Sequence, residues 1–329
     1  MESKTKSEFS VETITRLIQS QFGKNAQISG ISPLTAGWFN TAYAIEFADD
    51  NPAAVLRIAP DPRQRVLTYE KEMMRKELMI YETVYGTVDI PMPRLLAADT
   101  SRTVIDRDFM FVEKFSGQPM DKVKDELSPE VMQSIECQVG ACTAEMHTLK
   151  NETFGYFGEG PGHDSTTWRK AFMAMVYTLL ADGESFGADI QIPYAEIRAL
   201  LAQYAEALDE IQEASLVHWD MWQGNIFIDH RDGKHFVEGI IDWERAFWGD
   251  PEAETAICCK FYGPAFFEGY GRNMLEGENA TIRQCMYRLY LWLVMIIEEK
   301  VRFEGADHIP WVREQLKADL DFLLKPNRV

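Results

Sequence analysis

The chain has 329 residues, 46% of them hydrophobic and 26% charged, with a net charge of −19. That length supports two lobes with cores of their own, and the composition argues against extensive disorder. Residues 1–114 carry a net −2 and residues 115–329 a net −17, which argues against nucleic acid and anionic membrane as partners, since both need basic surfaces; a cationic small molecule, or simply a soluble acidic surface, is compatible.

In chain order, AQISGISPL and FNTAYAIEF read as strands around the turn TAGW, and AAVLRIA as a third strand after ADDNP. TYEKEMMRKELMIYETVYG has apolar residues at helical spacing. The prolines of IPMPRLLAAD rule out helix there, and RDFMFVEKF is a further strand, broken by SGQP. This part reads as a small antiparallel sheet carrying one helix. SPEVMQSIECQVGACTAEMHTLK then opens as a helix on Ser-Pro-Glu, and FGYFGEGPGHDS is a Gly-rich loop. Helical patterns recur at about 167–182, 193–213, 252–268, 279–304 and 310–324, with NIFID and HFVEGIID as the only expected strand pair. The expectation is α+β: a strand-rich lobe over 1–114 and a mostly helical lobe over 115–329, joined near 112–118.

The first ten residues lack the apolar core of a signal peptide, and LYLWLVMII at 289–297 is too short to span a bilayer. Five cysteines form no Cys/His cluster, and Cys137 and Cys142 have the wrong spacing for a zinc knuckle. Free thiols in a reducing cytoplasm are the expectation.

The stretch LVHWDMWQGNIFID, residues 216–229, interrupts an apolar run with His218, Asp220 and Asn225. NIFID and HFVEGIID flank HRDGK, where Asp232-Gly233 is a two-residue hairpin signal. Centring the hairpin there sets position 225 opposite 240, with Asp242 about two residues beyond. Opposed and diagonal residues lie roughly 5–8 Å apart. Asp220 can curl over the same end, so three oxygen-bearing side chains converge. Mg²⁺ takes one or two protein oxygens and completes its shell with water and phosphate, which suits Asn225 and Asp242. A nearby carboxylate that does not ligate, Asp220, suits a base that orients an attacking hydroxyl, while His218 is better placed to brace the loop.

HWDMWQGN resembles the HxDxxxxN catalytic loop of the aminoglycoside phosphotransferase family, which takes in choline kinase-like enzymes and is distantly similar to protein kinases. GIIDWERAFWGDP resembles that family's second motif, whose acid takes the metal-binding place of the kinase D-F-G. The resemblance implies a bilobal protein-kinase-like fold and a Mg²⁺-dependent phosphotransferase using ATP or GTP on a hydroxyl of a small molecule. TAGWFNTAY then sits where a phosphate-covering loop belongs, with Gly37 and Asn40 as candidates. AVLRIAP resembles the strand of the kinase lysine but presents Arg57, which keeps the charge and adds a fork of donors. Glu77 best fits its helical partner, with Glu72 second. FVEKFSG resembles the hinge, where the backbone from Glu113 to Phe115 should face the nucleotide base. A helix can begin about ten residues after Asp242, which leaves little room for a peptide platform and favours a small acceptor. STTWRKAF, the Gly-rich loop and LLADGESFGADI lie where family members build the acceptor site. Asp250, Glu252 and Glu254 are candidate pocket acids, with Trp243 or Trp248 as walls, although Asp250 suits a helix cap better. A metabolic kinase of choline, a sugar or an amino alcohol, and a catalytically idle nucleotide-binding protein, remain the alternatives.

Overall fold

The computed structural model describes residues 3–302 and 305–325. Its first lobe runs α1 (Val11–Phe22), β1 (Ile28–Leu34), β2 (Thr41–Phe47), β3 (Ala54–Ile58), α2 (Met73–Val84), β4 (Leu95–Asp99) and β5 (Phe109–Glu113). The strands form one antiparallel sheet in the order β1-β2-β3-β5-β4. Strand parity explains its two-sided burial. Phe109 and Phe111 of β5, with Leu56 and Ile58 of β3, face Ile14, Leu17 and Ile18 of α1. Met110 and Val112 face the other way, into a cluster with Ile80 and Tyr81 of α2. Arg57, between Leu56 and Ile58, therefore points to the α2 side.

Helix α1 corrects the expectation of a single helix in this lobe. Ser10 caps it by accepting from the Thr13 N–H at 3.2 Å, and its apolar residues recur at i, i+3 and i+4.

The second lobe contains β6 (Gln118–Pro119), a short helix α3 (Met120–Val123), α4 (Pro129–Met146), β7 (Lys150–Asn151), β8 (Gly155–Tyr156), α5 (Trp168–Phe186), α6 (Tyr194–Tyr204), β9 (Ala214–Val217), β10 (Ile226–Arg231), β11 (Lys234–Ile240), β12 (Phe247–Gly249), α7 (Glu252–Cys258), α8 (Pro264–Tyr270), α9 (Glu278–Arg302) and α10 (Ile309–Leu324). Residues 303 and 304, expected to end the helix begun at 279, lie outside the described residues, as do 1–2 and 326–329. Three expectations need correction. The pattern over 252–268 is two helices: the first ends at Cys258, and Gly263 with Pro264 at the first helical position starts the next. The pattern over 193–213 leaves α-helix after Tyr204 and tightens into a 3₁₀ segment, Ala205–Glu210. Besides the hairpin β10–β11, which β6 joins, there is a second sheet, β7-β9-β12-β8. Its strands are two to four residues long, too short to show a period.

The hairpin turns at Asp232-Gly233, both with positive φ. From there the register runs regularly to Ile228↔Val237, then slips, so that Phe227 pairs with Gly239 and Ile226 with Ile240. The expected pairing of 225 with 240 is thus displaced by one residue. The cause is a β-bulge at Glu238, whose carboxylate accepts the Ser116 and Gly117 N–H groups at 2.9 and 2.7 Å. The bulge fastens the inter-lobe connection to the hairpin, and a side chain on Gly239 would collide with the Phe115 ring beside it.

All five cysteines are free. Among the described residues no helix is long and apolar enough to cross a membrane.

Helices α4 and α8 cross closely, and a Cβ on Gly269 would collide with the Cys137 carbonyl. Backbone cannot yield as a flexible side chain can. Gly269→Ala is therefore expected to destabilise the protein by about 2–3 kcal/mol, read as a lower midpoint in urea unfolding; an unchanged midpoint would show that the helices can separate freely.

Candidate active site

Three carboxylates converge on Arg57. Its Nη1 lies 2.5 Å from Glu77 Oε1, and its Nη2 lies 2.9 Å from Asp242 Oδ1 and 3.2 Å from Glu244 Oε2. The structure thus brings Arg57 to Glu77; Glu72 instead lies 3.9 Å from Arg75 at the helix start. One guanidinium faces three carboxylates, so full ionisation of all three would leave an excess of negative charge that burial opposes. Burial works against the Arg57 charge, but Glu77, Asp242 and Glu244 outweigh it and raise its pKa. Burial, opposed by Arg57 and reinforced by Asp242, pushes Glu77 up to about 7. Burial, together with Asp242, raises Glu244 well above the usual carboxylate range.

The loop 218–225 is knitted to the end of the hairpin. His218 Nδ1 accepts from the Asp220 N–H at 3.2 Å, and Nε2 lies 3.1 Å from the Ile241 carbonyl. Those backbone partners fix the neutral tautomer with the proton on Nε2. Burial holds its pKa down at about 4, so His218 is a brace. Asn225 Nδ2 donates to the Asp220 carbonyl at 2.9 Å, and the Ile241 N–H donates to the Asn225 carbonyl at 3.0 Å. Position 225 is therefore stitched one residue from Asp242, which has φ +68° and a side chain 37% exposed. The Asn225 amide nitrogen is engaged inward, which turns its oxygen away from the Asp220 carbonyl. An amide oxygen and an accessible carboxylate among surplus carboxylates match what Mg²⁺ takes from protein when phosphate supplies the rest. The donor set fits that ion.

Asp220 is partly buried, and burial pushes it up to about 6, with Arg245 acting against that shift and Asp242 and Glu298 adding to it. Arg245 Nη1 lies 3.6 Å from Asp220 Oδ1, and its Nη2 meets both oxygens of Glu298 at 2.8 and 2.9 Å. Neither Arg245 nor Glu298 was singled out from sequence. They are 53 residues apart, and only the packing of α9 joins them.

Other expected residues fall as follows. Gly37 lies exposed in the loop between β1 and β2. Asn40, at the end of that loop, turns its amide to Glu244 Oε2 at 3.0 Å. At the hinge, the Glu113 N–H donates to the Arg94 carbonyl and the Lys114 N–H to the Ala53 carbonyl, both at 2.9 Å. Phe115 packs its ring on Phe227 with centroids 5.4 Å apart.

The proposed pocket acids are corrected. Asp250, Glu252 and Glu254 are each at most 1% exposed. Asp250 accepts from Tyr287, Arg283 and the Glu252 N–H, so it is a cap and an anchor for α9. Glu252 accepts from Gln284 and the Leu275 N–H. Glu254 accepts from the His218 and Trp219 N–H groups at 2.6 and 3.0 Å, and burial pushes it up to about 7. Trp243 is fully buried beside His218, and Trp248 packs on Phe157.

The architecture agrees with a family comparison: the model of the phosphotransferase enzyme family, APH, matches residues 30–287. The chain belongs to that family. Three solved structures similar to it extend the comparison over nearly the whole chain. A candidate fructosamine-3-kinase from Haemophilus somnus 129PT is 18% identical, with a TM-score of 0.64 over 94% of this chain and 97% of the other. A candidate aminoglycoside phosphotransferase from Ralstonia eutropha JMP134 is 13% identical, with a TM-score of 0.67 over 96% and 97%. A thermostable mutant of the aminoglycoside phosphotransferase APH(4)-Ia, in ternary complex with AMP-PNP and hygromycin B, is 19% identical, with a TM-score of 0.63 over 94% and 98%. At such identities the likeness establishes the kinase-like fold. No curated protein sequence matches.

Within this phosphotransferase-family fold, Glu254 holds the loop that carries Asp220 by its backbone. Glu254→Leu would leave two buried N–H groups unpaired and is expected to cost about 2–4 kcal/mol. Glu254→Gln keeps an acceptor and should cost less than about half of that. Urea unfolding of the two variants checks this; equal stabilities would contradict it.

Proposed function

We propose that this protein transfers the terminal phosphate of ATP or GTP to a hydroxyl of a small molecule, with Asp220 as the base. The observation that carries the proposal is the meeting of Asp220, Asn225 and Asp242 at one hairpin end, against the Arg57–Glu77 pair that spans sheet and helix. When bound, Mg²⁺ held by Asn225 and Asp242 supplies charge neutralisation at the transferring phosphate. Arg57, steadied by Glu77, takes phosphate charge. Gly37 and Asn40 belong to the loop that covers the phosphates, and the Glu113–Phe115 backbone faces the base. With the Glu113 and Lys114 N–H groups already engaged in the sheet, the Phe115 N–H is the hinge donor we assign to the nucleotide. Asp220 accepts or orients the proton of the acceptor hydroxyl, which attacks the phosphorus in line. Positioning and electrostatics do most of the work in such a transfer.

The acceptor is assigned by what the chain lacks room for. Helix α7 begins at Glu252, ten residues after Asp242, so no long segment follows the metal-binding acid to dock a peptide. The acidic second lobe favours a cationic or polyhydroxylated molecule. The site is cytoplasmic on this reading, since ATP and reduced thiols coexist there.

The test is nucleoside diphosphate release from MgATP and MgGTP across aminoglycosides, macrolides, choline, ethanolamine, sugars and amino alcohols. Acceptor-dependent turnover is expected, and Asp220→Asn should lower kcat at least about a hundredfold with nucleotide affinity nearly unchanged. Because the Asp220 proton is held up to about pH 6, and only the carboxylate is a base, the wild-type rate should rise with pH towards 6 and level above it. Near wild-type turnover in the mutant, or a rate that falls as pH rises through 6, would contradict the role of Asp220.

A further inference from the structure

The base does not stand alone in its surroundings. A line of buried charges leads away from Asp220, through Arg245 to Glu298, and from Glu298 to Arg302 at 3.4 Å and on to Glu70. The Arg302 and Glu70 side chains are 3% and 0% exposed. Glu298 also accepts from the Tyr69 hydroxyl. Tyr69 and Glu70 do not belong to the helical lobe. They lie in the connection from β3 to α2, residues 59–72, which leaves the sheet and crosses onto the other lobe as a strap. Its outer end is fastened to α5: the Thr68 N–H and Oγ1 meet the two Asp182 oxygens at 2.6 and 2.9 Å, and Arg65 donates to the Ser185 carbonyl at 3.1 Å. Buried charge chains of this kind are expensive to desolvate, and a specific geometric task is the best-attested reason for one.

We propose that Glu298 is a positioning residue for Asp220, acting through Arg245, and that Tyr69 of the strap holds Glu298 in place. This rests on the phosphotransferase reading above. Arg245 has two carboxylates in reach. Glu298 takes both hydrogen bonds of Nη2 and leaves Nη1 at 3.6 Å from Asp220, longer than a direct hydrogen bond. Asp220 is thereby oriented by a cation without being locked to it, and its oxygen stays available to a hydroxyl. With Glu298 neutral, Arg245 closes on Asp220 and takes the oxygen that the acceptor needs. The strap makes this conditional on the two lobes being joined, because one of the groups that hold Glu298, the Tyr69 hydroxyl beside Arg302, comes from the first lobe.

The test follows ADP release from MgATP, with the acceptor panel above and with water as acceptor, in wild type, Asp220→Asn, Glu298→Gln, Arg245→Met and the double variant Glu298→Gln/Arg245→Met. Glu298→Gln is expected to lower kcat at least about tenfold, while acceptor KM and MgADP affinity stay within about twofold. In the Arg245→Met background the same change should lower kcat no further. Unchanged kcat in Glu298→Gln, the same additional loss in both backgrounds, or a loss shared equally by MgADP affinity would overturn the positioning role. Should Arg245→Met not fold, Tyr69→Phe removes only one hydroxyl: kcat is expected to fall about threefold with KM unmoved, and wild-type kcat would overturn the strap's part. Turnover that Asp220→Asn does not lower, or no ADP from any acceptor or from water, overturns the phosphotransferase reading itself. Asp220-dependent turnover indifferent to Glu298 overturns only this one.

Discussion

The arrangement of the site depends on one imbalance of charge: Arg57 faces Glu77, Asp242 and Glu244 with a single guanidinium. Two of the acids, Asp242 and Glu244, share the turn after β11, and the third, Glu77, comes from α2. Glu77 rides on α2, pressed to the sheet by Ile80 and Tyr81. Asp242 and Glu244 follow β11, the first in a left-handed conformation. Two lobes thus meet across a cluster with more carboxylates than cations, whose full ionisation burial opposes. Burial makes that state costly, which is why Glu77 and Glu244 are pushed up. On the proposed function, a divalent cation with its phosphates relieves that excess.

The surrounding structure holds that cluster close to Asp220. The hairpin holds Asn225 beside Ile241, and Glu254 holds the backbone of His218 and Trp219 from below. The bulge at Glu238 fastens the hinge to the same hairpin. The inter-lobe connection, Asn225 with Asp242, and the loop carrying Asp220 therefore hang on one two-stranded ribbon. The strap over 59–72 closes the opposite side through Thr68, Tyr69 and Glu70. A site braced on rigid elements from both sides suits chemistry that depends on positioning.

Much of this was legible because it is local. The strands of the first lobe carry their alternation in a few residues, the Asp232-Gly233 turn announces its hairpin, and HWDMWQGN with GIIDWERAFWGDP needs no tertiary knowledge to be read. Helix α1 is equally local, carried by Ser10 and the spacing of Ile14, Leu17 and Ile18. The remaining differences were not local. The bulge depends on Glu238 finding amides at the hinge, 121 and 122 residues away in sequence. The second small sheet has strands without a period. Asp250, Glu252 and Glu254 look like pocket acids on a list, and only burial and the partners Arg283, Gln284 and the His218 backbone give them structural roles. Arg245 stood inside a quoted motif, but its partner Glu298 is on a helix whose face the sequence alone does not fix.

The most direct measurement of the central claim is calorimetric titration of ADP, with and without Mg²⁺, into wild type and Asp242→Asn. If the negative cluster is a metal-nucleotide site, Mg²⁺ should tighten ADP binding to the wild type at least about tenfold, and Asp242→Asn should lose most of that gain while still folding. Equal affinity with and without Mg²⁺ in the wild type, or an undiminished Mg²⁺ effect in the variant, would contradict it.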